Sequence, residues 1–183
     1  NYAGFDGWVV KPGSLGKPMP GSEIAVIDEE GNEVPVGNVG EIAIKRRGEW
    51  FRVKDAAIVD EDGYYWHKGR VDDIIISSGW TISPIEIENV LIKHSAVKEA
   101  AVVGIPDKER GQIVKAFIVT KEKPRSGLKE ELQDFIKDRL SKHEYPREIE
   151  FVENLPKTEG GKIKKKELKE RSEKNNNTTV QSC

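Results

Sequence analysis

Leu155-Pro156-Lys157-Thr158-Glu159-Gly160-Gly161-Lys162-Ile163 places a lysine directly behind a pair of glycines. Glycine tolerates backbone angles and close approaches that a Cβ blocks, so such a loop can press on a neighbouring surface while Lys162 reaches past it. An ammonium about 4 Å from an anionic oxygen gains roughly 4 kcal/mol at an effective dielectric of 20. That is enough to matter for a bound phosphate or for charge developing on it. The loop is no Walker A phosphate cradle, because Pro156 stands where its first glycine would be and Ile163 where a magnesium-binding Ser or Thr is needed. Arg70 offers five donors in a fixed fork, suited to vicinal hydroxyls or a phosphate, and Asp55 could accept from hydroxyls. Ser77-Ser78-Gly79-Trp80 adds hydroxyls, exposed backbone and a flat aromatic face. Taken singly, each has a plainer account: a solvated basic turn, surface ion pairs worth 0 to about 1 kcal/mol, and a core tryptophan.

Other chemistries lack their residues. His67, His94 and His143 are scattered and the single cysteine is Cys183, so no zinc spacing exists, no metal site is expected, and no Ser-His-Asp signature can be traced. Thirty basic and 32 acidic side chains leave a net charge of -2, which provides no global field for nucleic acid or an acidic membrane. Any anion site must be local. No apolar run approaches the roughly 20 residues needed to cross a bilayer. Asn1 to Asp6 lacks the basic and apolar regions of a signal peptide, and a terminal lone cysteine fits a reducing compartment, so a cytoplasmic location is expected.

These residues need elements to hold them. Glycine and proline recur through residues 1–22 and predict loop. Strands are expected at Glu23–Asp28 and Gly40–Lys45, then at Ala56–Val59 and Tyr64–Trp66 around an Asp60-Glu61-Asp62-Gly63 turn, giving a mostly antiparallel β unit. From Asp73 helix and strand alternate: Ile74–Ile76, a helix opening at Pro84, strands at Val97–Gly104 and Ile113–Thr120, a helix at Leu128–Leu140, a strand at Ile149–Val152 and a charged helix from Lys164 to about Glu173. The expected class is α+β, an antiparallel β-rich part followed by a small domain with a mixed sheet flanked by helices. The expected divisions are 1–71, 72–172 and a disordered tail over 173–183. Gly69-Arg70-Val71-Asp72-Asp73 falls at the boundary, where a hinge would absorb backbone rotation.

In this order the motifs resemble the C-terminal third of the AMP-forming acyl-CoA synthetases of the adenylate-forming superfamily. Asp60-Glu61-Asp62-Gly63-Tyr64, Gly69-Arg70-Val71-Asp72-Asp73, Pro84-Ile85-Glu86-Ile87-Glu88, Ala100-Ala101-Val102-Val103-Gly104-Ile105-Pro106-Asp107 and Pro156-Lys157-Thr158-Glu159-Gly160-Gly161-Lys162 follow the family's sequence and spacing. Tyr145-Pro146-Arg147-Glu148-Ile149-Glu150-Phe151-Val152 is most similar to acetyl- and medium-chain-type members. The resemblance implies that Asp55 and Arg70 hold the adenylate ribose, that Asp72 is the hinge, and that Lys162 stabilises charge as a carboxylate attacks the ATP α-phosphate. It further implies that Ser78, Gly79, Trp80, Arg110, Lys137, Tyr145, Pro146 and Arg147 line a coenzyme A site. ATP and coenzyme A are the implied cofactors, with Mg2+ accompanying ATP and no ligand for it in this chain. The other implied partners are a small carboxylate, within fatty-acid metabolism, and an N-terminal adenylation domain that this sequence does not contain.

The chain also departs from that pattern. Thr81 stands where an arginine is usual, so one cation is gone. Ile44-Lys45-Arg46-Arg47 runs almost directly into Gly48-Glu49-Trp50-Phe51 where the family carries a longer segment, and Thr-Gly-Asp has become Val53-Lys54-Asp55. Two functions of different class follow as expectations. One is the C-terminal part of a carboxylate:CoA ligase, inactive alone; the other is a non-catalytic remnant or CoA/AMP-binding module without a phosphate loop.

Overall fold

A computed structural model describes residues 8–180, with side chains described as far as Lys174. The chain divides between Ile74 and Ile75 into two units. The first unit is a four-stranded antiparallel sheet, β1 (Ile24–Ile27), β2 (Gly40–Arg46), β3 (Glu49–Val59) and β4 (Tyr65–Arg70), in that spatial order. Alternation decides its two faces: Ala25, Ile27 and Ala43 gather on one side, Val26, Ala57 and Tyr65 on the other. A 3₁₀ turn at Val71–Asp73 closes the unit.

Two turns set the lengths of these strands. β2 and β3 meet through Arg47-Gly48, both at positive φ (53° and 87°), as a two-residue hairpin of right-handed twist requires. The Asp60 carboxylate organises the β3–β4 turn, accepting from the Asp62 and Tyr64 amides at 3.0 and 2.9 Å, from Trp66 Nε1 at 3.0 Å and from Lys11 Nζ at 2.6 Å. Strand β3 is longer than the sequence reading, which begins it at Ala56. Hairpin closure extends the ladder back to Glu49, across from Arg46.

The second unit is a mixed sheet. Strands β5 (Ile75–Ser77), β6 (Trp80–Ile82), β7 (Val97–Asp107) and β8 (Gly111–Thr120) are antiparallel in the order β6-β5-β8-β7, and β9 (Glu148–Phe151) runs parallel to β8. Helices α1 (Pro84–Leu91) and α2 (Leu128–Lys137) supply Ile87, Leu91, Leu132 and Ile136 to one face, where they meet Val102, Val114, Ala116 and Ile118. On the other face Leu155 and Leu168 of α3 (Lys165–Val180) pack with Ala101, Val103, Ile105 and Phe117. Each fully buried leucine or isoleucine contributes about 1.5–3 kcal/mol. This is the α+β class, with a mixed sheet flanked by helices, that the sequence pattern implies.

Further differences from the sequence reading lie at β7, which runs on to Asp107, at β8, which starts at Gly111, and at β6, α2 and α3. The short strand β6 was not expected there, since Trp80-Thr81-Ile82 shows too few residues for a period. Helix α2 ends at Lys137 rather than Leu140, and α3 is described to Val180, past Glu173; the last three residues, Cys183 among them, lie outside the described residues.

Candidate functional site

Lys162 sits at the end of a tight reversal that follows from its glycines. Gly161 adopts φ +81°, a conformation L side chains rarely take, and its amide donates to Thr158 O at 2.9 Å. The Lys162 amide donates to Thr158 Oγ1 at 3.2 Å, the Thr158 amide to Lys162 O at 2.8 Å, and Lys157 bridges Ile163. Five lysines crowd residues 157–166, and four are paired. Lys157 meets Glu99 at 2.6 Å and Lys165 meets Glu88 at 2.8 Å, while Lys164 and Lys166 make looser local pairs with Glu167 and Glu170 at 3.9 and 4.0 Å. Lys162 alone of the five has no charged partner among the described residues, and it is exposed. The turn therefore presents one unneutralised ammonium.

In the first unit, Asp55 and Arg70 stand opposite each other on β3 and β4, and Arg70 Nη1 donates to Asp55 Oδ1 at 2.9 Å. His67 Nε2 is 3.9 Å from the same oxygen. Asp55 rides on a bulge: Glu41 pairs with Ala56 but Ala43 with Arg52, so β3 carries extra residues there. Lys54 turns the bulge at φ +62°, its amide held by Glu41 Oε1 at 2.8 Å, while Arg52 binds Glu41 Oε2 at 3.0 Å. Lys54 thus adopts a left-handed backbone at the position where the resemblance has glycine. Asp72 lies in the 3₁₀ turn and is exposed.

The second unit brings together residues that are far apart in sequence. Ser78 (φ +49°) and Gly79 (φ +80°) make the two-residue turn between β5 and β6, which throws Trp80 outward at 54% exposure. Arg110 Nη1 donates to Ser78 Oγ at 3.2 Å, and the Ser78 amide to Arg110 O at 2.9 Å. Trp80 stacks on His143, with ring centroids 3.9 Å apart and planes within 8°, so one indole face is covered and the other is free. Two residues on, the Tyr145 ring is approached by two cations, Lys137 Nζ at 4.6 Å and Arg147 Cζ at 5.2 Å from its centroid. Pro146 is buried and its carbonyl accepts from Gln133 Nε2 at 2.8 Å; the Arg147 amide bonds Val114 O at 2.9 Å, fixing the segment to β8. Lys137 is held above its ordinary pKa, chiefly by its hydrogen bond to Asp134, and stays charged.

The eight residues fall into two groups, Ser78-Gly79-Trp80 with Arg110 and Lys137 with Tyr145-Pro146-Arg147, each within one unit. His143 joins Trp80 to the second group's segment. The sequence reading finds no metal spacing or catalytic signature among the histidines. His94 packs edge-on against Phe135 at 4.9 Å, but His143 is half of an aromatic platform; its place two residues before Tyr145 was the available signal. Glu88 and Glu99 were missed for another reason: only the fold shows which acid meets which lysine. Thr81 is exposed beside Trp80 and supplies no cation. Among the described residues no group of His, Cys, Asp or Glu could hold a metal ion.

A mixed sheet with a lone lysine on a terminal turn and an aromatic, cationic face defines a domain class. The model of the AMP-binding enzyme C-terminal domain matches residues 86–162. The chain is similar over most of its length to the C-terminal portion of acyl-CoA synthetases. It is 44% identical over 192 residues to an acetyl-coenzyme A synthetase of Bacillus subtilis (strain 168), covering 92% of this chain and 33% of that protein. It is 40% identical over 194 residues to the mitochondrial acyl-coenzyme A synthetase ACSM3 of Mus musculus, covering 91% and 33%. Among solved structures, an anthranilate CoA ligase in complex with anthranoyl-AMP superposes with TM-score 0.79 at 38% identity, over 88% of this chain and 35% of that one. A benzoate CoA ligase from Burkholderia xenovorans LB400 gives TM-score 0.73 at 42% identity, over 87% and 36%. The chain thus spans about a third of the relatives it matches. The alignment of 192 residues exceeds the chain's own 183, so the Bacillus relative carries residues this chain lacks.

Proposed function

We propose that this chain is the lysine-bearing and thiol-binding part of an AMP-forming carboxylate:CoA ligase. In the first half-reaction a carboxylate oxygen attacks the ATP α-phosphorus, and the bond to the β-phosphate oxygen breaks, releasing pyrophosphate and leaving acyl-AMP. Lys162 stabilises the charge on the α-phosphoryl oxygens, and Asp55 with Arg70 holds the ribose hydroxyls. In the second, the coenzyme A thiol attacks the acyl carbon, and acyl-CoA, AMP and a proton result. Rotation about Asp72 exchanges Lys162 for the Trp80 face between the halves. The free indole face takes an adenine by stacking, while Arg110, Lys137 and Arg147 suit its phosphates. Mg2+ would arrive with ATP and neutralise its phosphates.

One observation carries this reading: of five clustered lysines, only Lys162 is left without a counter-ion among the described residues, on a turn closed by its own backbone hydrogen bonds. Mixing the purified chain with a matching adenylation domain is expected to give pyrophosphate release that Lys162→Ala lowers by about 10²-fold. No gain on mixing, or an equal gain with Lys162→Ala, overturns it.

A second reading, a CoA- or AMP-binding module without turnover, has its own support in the two-residue β2–β3 hairpin, which replaces the longer segment of the resemblance. Titration calorimetry separates them: binding of CoA without Lys162-dependent turnover selects the module, and no binding of CoA or AMP excludes both. No helix among the described residues is long and apolar enough to cross a membrane. We place the protein in the cytoplasm, to be checked by fractionation of its native cells.

A further inference from the structure

A turn with two adjacent glycines is a poor platform for one charge, since its backbone has more conformations to lose than any other sequence. Its own hydrogen bonds join the arms only to each other, down to the Lys164 amide on Pro156 O at 2.9 Å, and Leu155 and Ile163 anchor its base on the core. What ties the two arms to the sheet lies elsewhere in the chain. On the entering arm Lys157 Nζ meets Glu99 Oε2 at 2.6 Å, and Glu99 belongs to β7, which pairs with β8 along its length. On the leaving arm Lys165 Nζ meets Glu88 Oε1 at 2.8 Å, with the side chains only 15% and 14% exposed. The same Glu88 oxygen accepts the Val102 amide of β7 at 2.7 Å. Helix α1 therefore reaches across the outer edge of β7 to grip the first residue of α3. A pair so sheltered is screened less by solvent and salt than one on the open surface.

Resting on the function proposed above, we infer that Glu88 and Glu99 are positioning residues for Lys162. Together they tie both arms of its turn to the β7 strand and take up the two flanking lysines that would otherwise compete for the same phosphate. Neither carboxylate touches substrate. Each acts through a lysine three or five residues from Lys162, and the two arms are held independently.

Hydrogen exchange on the full chain tests the clamp without any activity. Glu99→Gln and Glu88→Gln are expected to speed exchange of the Thr158, Gly161, Lys162 and Lys164 amides about tenfold, the scale set by losing one charge-assisted bond, with β8 amides unchanged. Lys165→Gln breaks the same pair while leaving Glu88 on the Val102 amide, so it reports even if Glu88→Gln folds poorly. Unchanged turn amides, or β8 amides speeding equally, overturn the inference. In the mixed system with an adenylation domain, the same variants should slow acyl-adenylate formation about tenfold and leave thioester formation from preformed acyl-adenylate unaltered; equal loss in both halves shows a merely structural role and overturns the inference. Wild-type protein giving no Lys162-dependent pyrophosphate overturns instead the function it rests on, and the exchange measurement then decides the clamp alone.

Discussion

Trp80 offers a single open π face because His143 occupies the other, and this limits what the platform can grip. A base stacked on one exposed indole contributes about 1–3 kcal/mol, so Trp80→Ala should raise the KM for CoA by about tenfold or more in the mixed system. A pantetheine thiol, which has no adenine, should be unaffected, and equal losses for the two thiols would place Trp80 elsewhere in the mechanism. His143→Ala should produce a smaller rise for CoA alone, in keeping with about 0.5–1.5 kcal/mol for an aromatic pair. At this scale types and order were legible, because Lys162, Arg70, Asp55 and Trp80 lie in short motifs. Pairing was not. Nothing local to Lys157 or Lys165 distinguishes them from Lys162; their partners Glu99 and Glu88 lie more than 50 residues away.

The elements carry two departures from ordinary local rules, and both sit near candidate residues. Lys54 occupies a left-handed backbone at the bulge that presents Asp55. A left-handed conformation costs an L residue about 1 kcal/mol that glycine avoids. Lys54→Gly is accordingly expected to stabilise the chain by about that amount, read as a higher denaturant midpoint at unchanged slope. The β3–β4 turn is organised by charge. Lys11, above all, with the Tyr64 amide and Trp66, holds the Asp60 carboxyl far below the usual carboxylate range, and Asp60 and Asp62 raise Lys11 in turn. A carboxyl with a depressed pKa contributes stability in full above its unfolded value and loses it as pH falls toward the folded one. Lys11 does the reverse, contributing below its ordinary value and losing it as pH rises past the raised one. Stability from this cluster should be level between about pH 5 and 10 and fall on either side. Asp60→Asn should remove much of the acid-side fall in a pH series of melting temperatures. Strand and helix periods were readable for α1, β7, β8 and α2, where apolar residues repeat over eight or more positions. They failed for β6 and the first half of β3, whose pairing is imposed by the turns at Ser78-Gly79 and Arg47-Gly48.

The whole molecule is two units, each with its own packed residues, and that division makes a prediction. A Cβ on Gly40 would lie 2.7 Å from Ile27 O and 2.8 Å from Val26 Cγ1, inside van der Waals contact with backbone that cannot swing aside. Gly40→Ala should therefore destabilise the first unit by about 1–3 kcal/mol. The unfolding transition of the second unit should stay where it was, and a chain of residues 75–183 should melt at that same temperature; coincident shifts would show one cooperative body. The sequence by itself determined the α+β class, the order of elements, the family resemblance and the cast of candidate residues, because periodicity, turn chemistry and motif order are local properties read along the chain. Only the tertiary structure decided that Lys162 is the one lysine of five unneutralised by the described residues, that Trp80 has one face to offer, and that Asp55 rides a bulge turned by a left-handed lysine. Those properties depend on distances between residues remote in sequence, and distance is set by how the sheets pair and what packs on them.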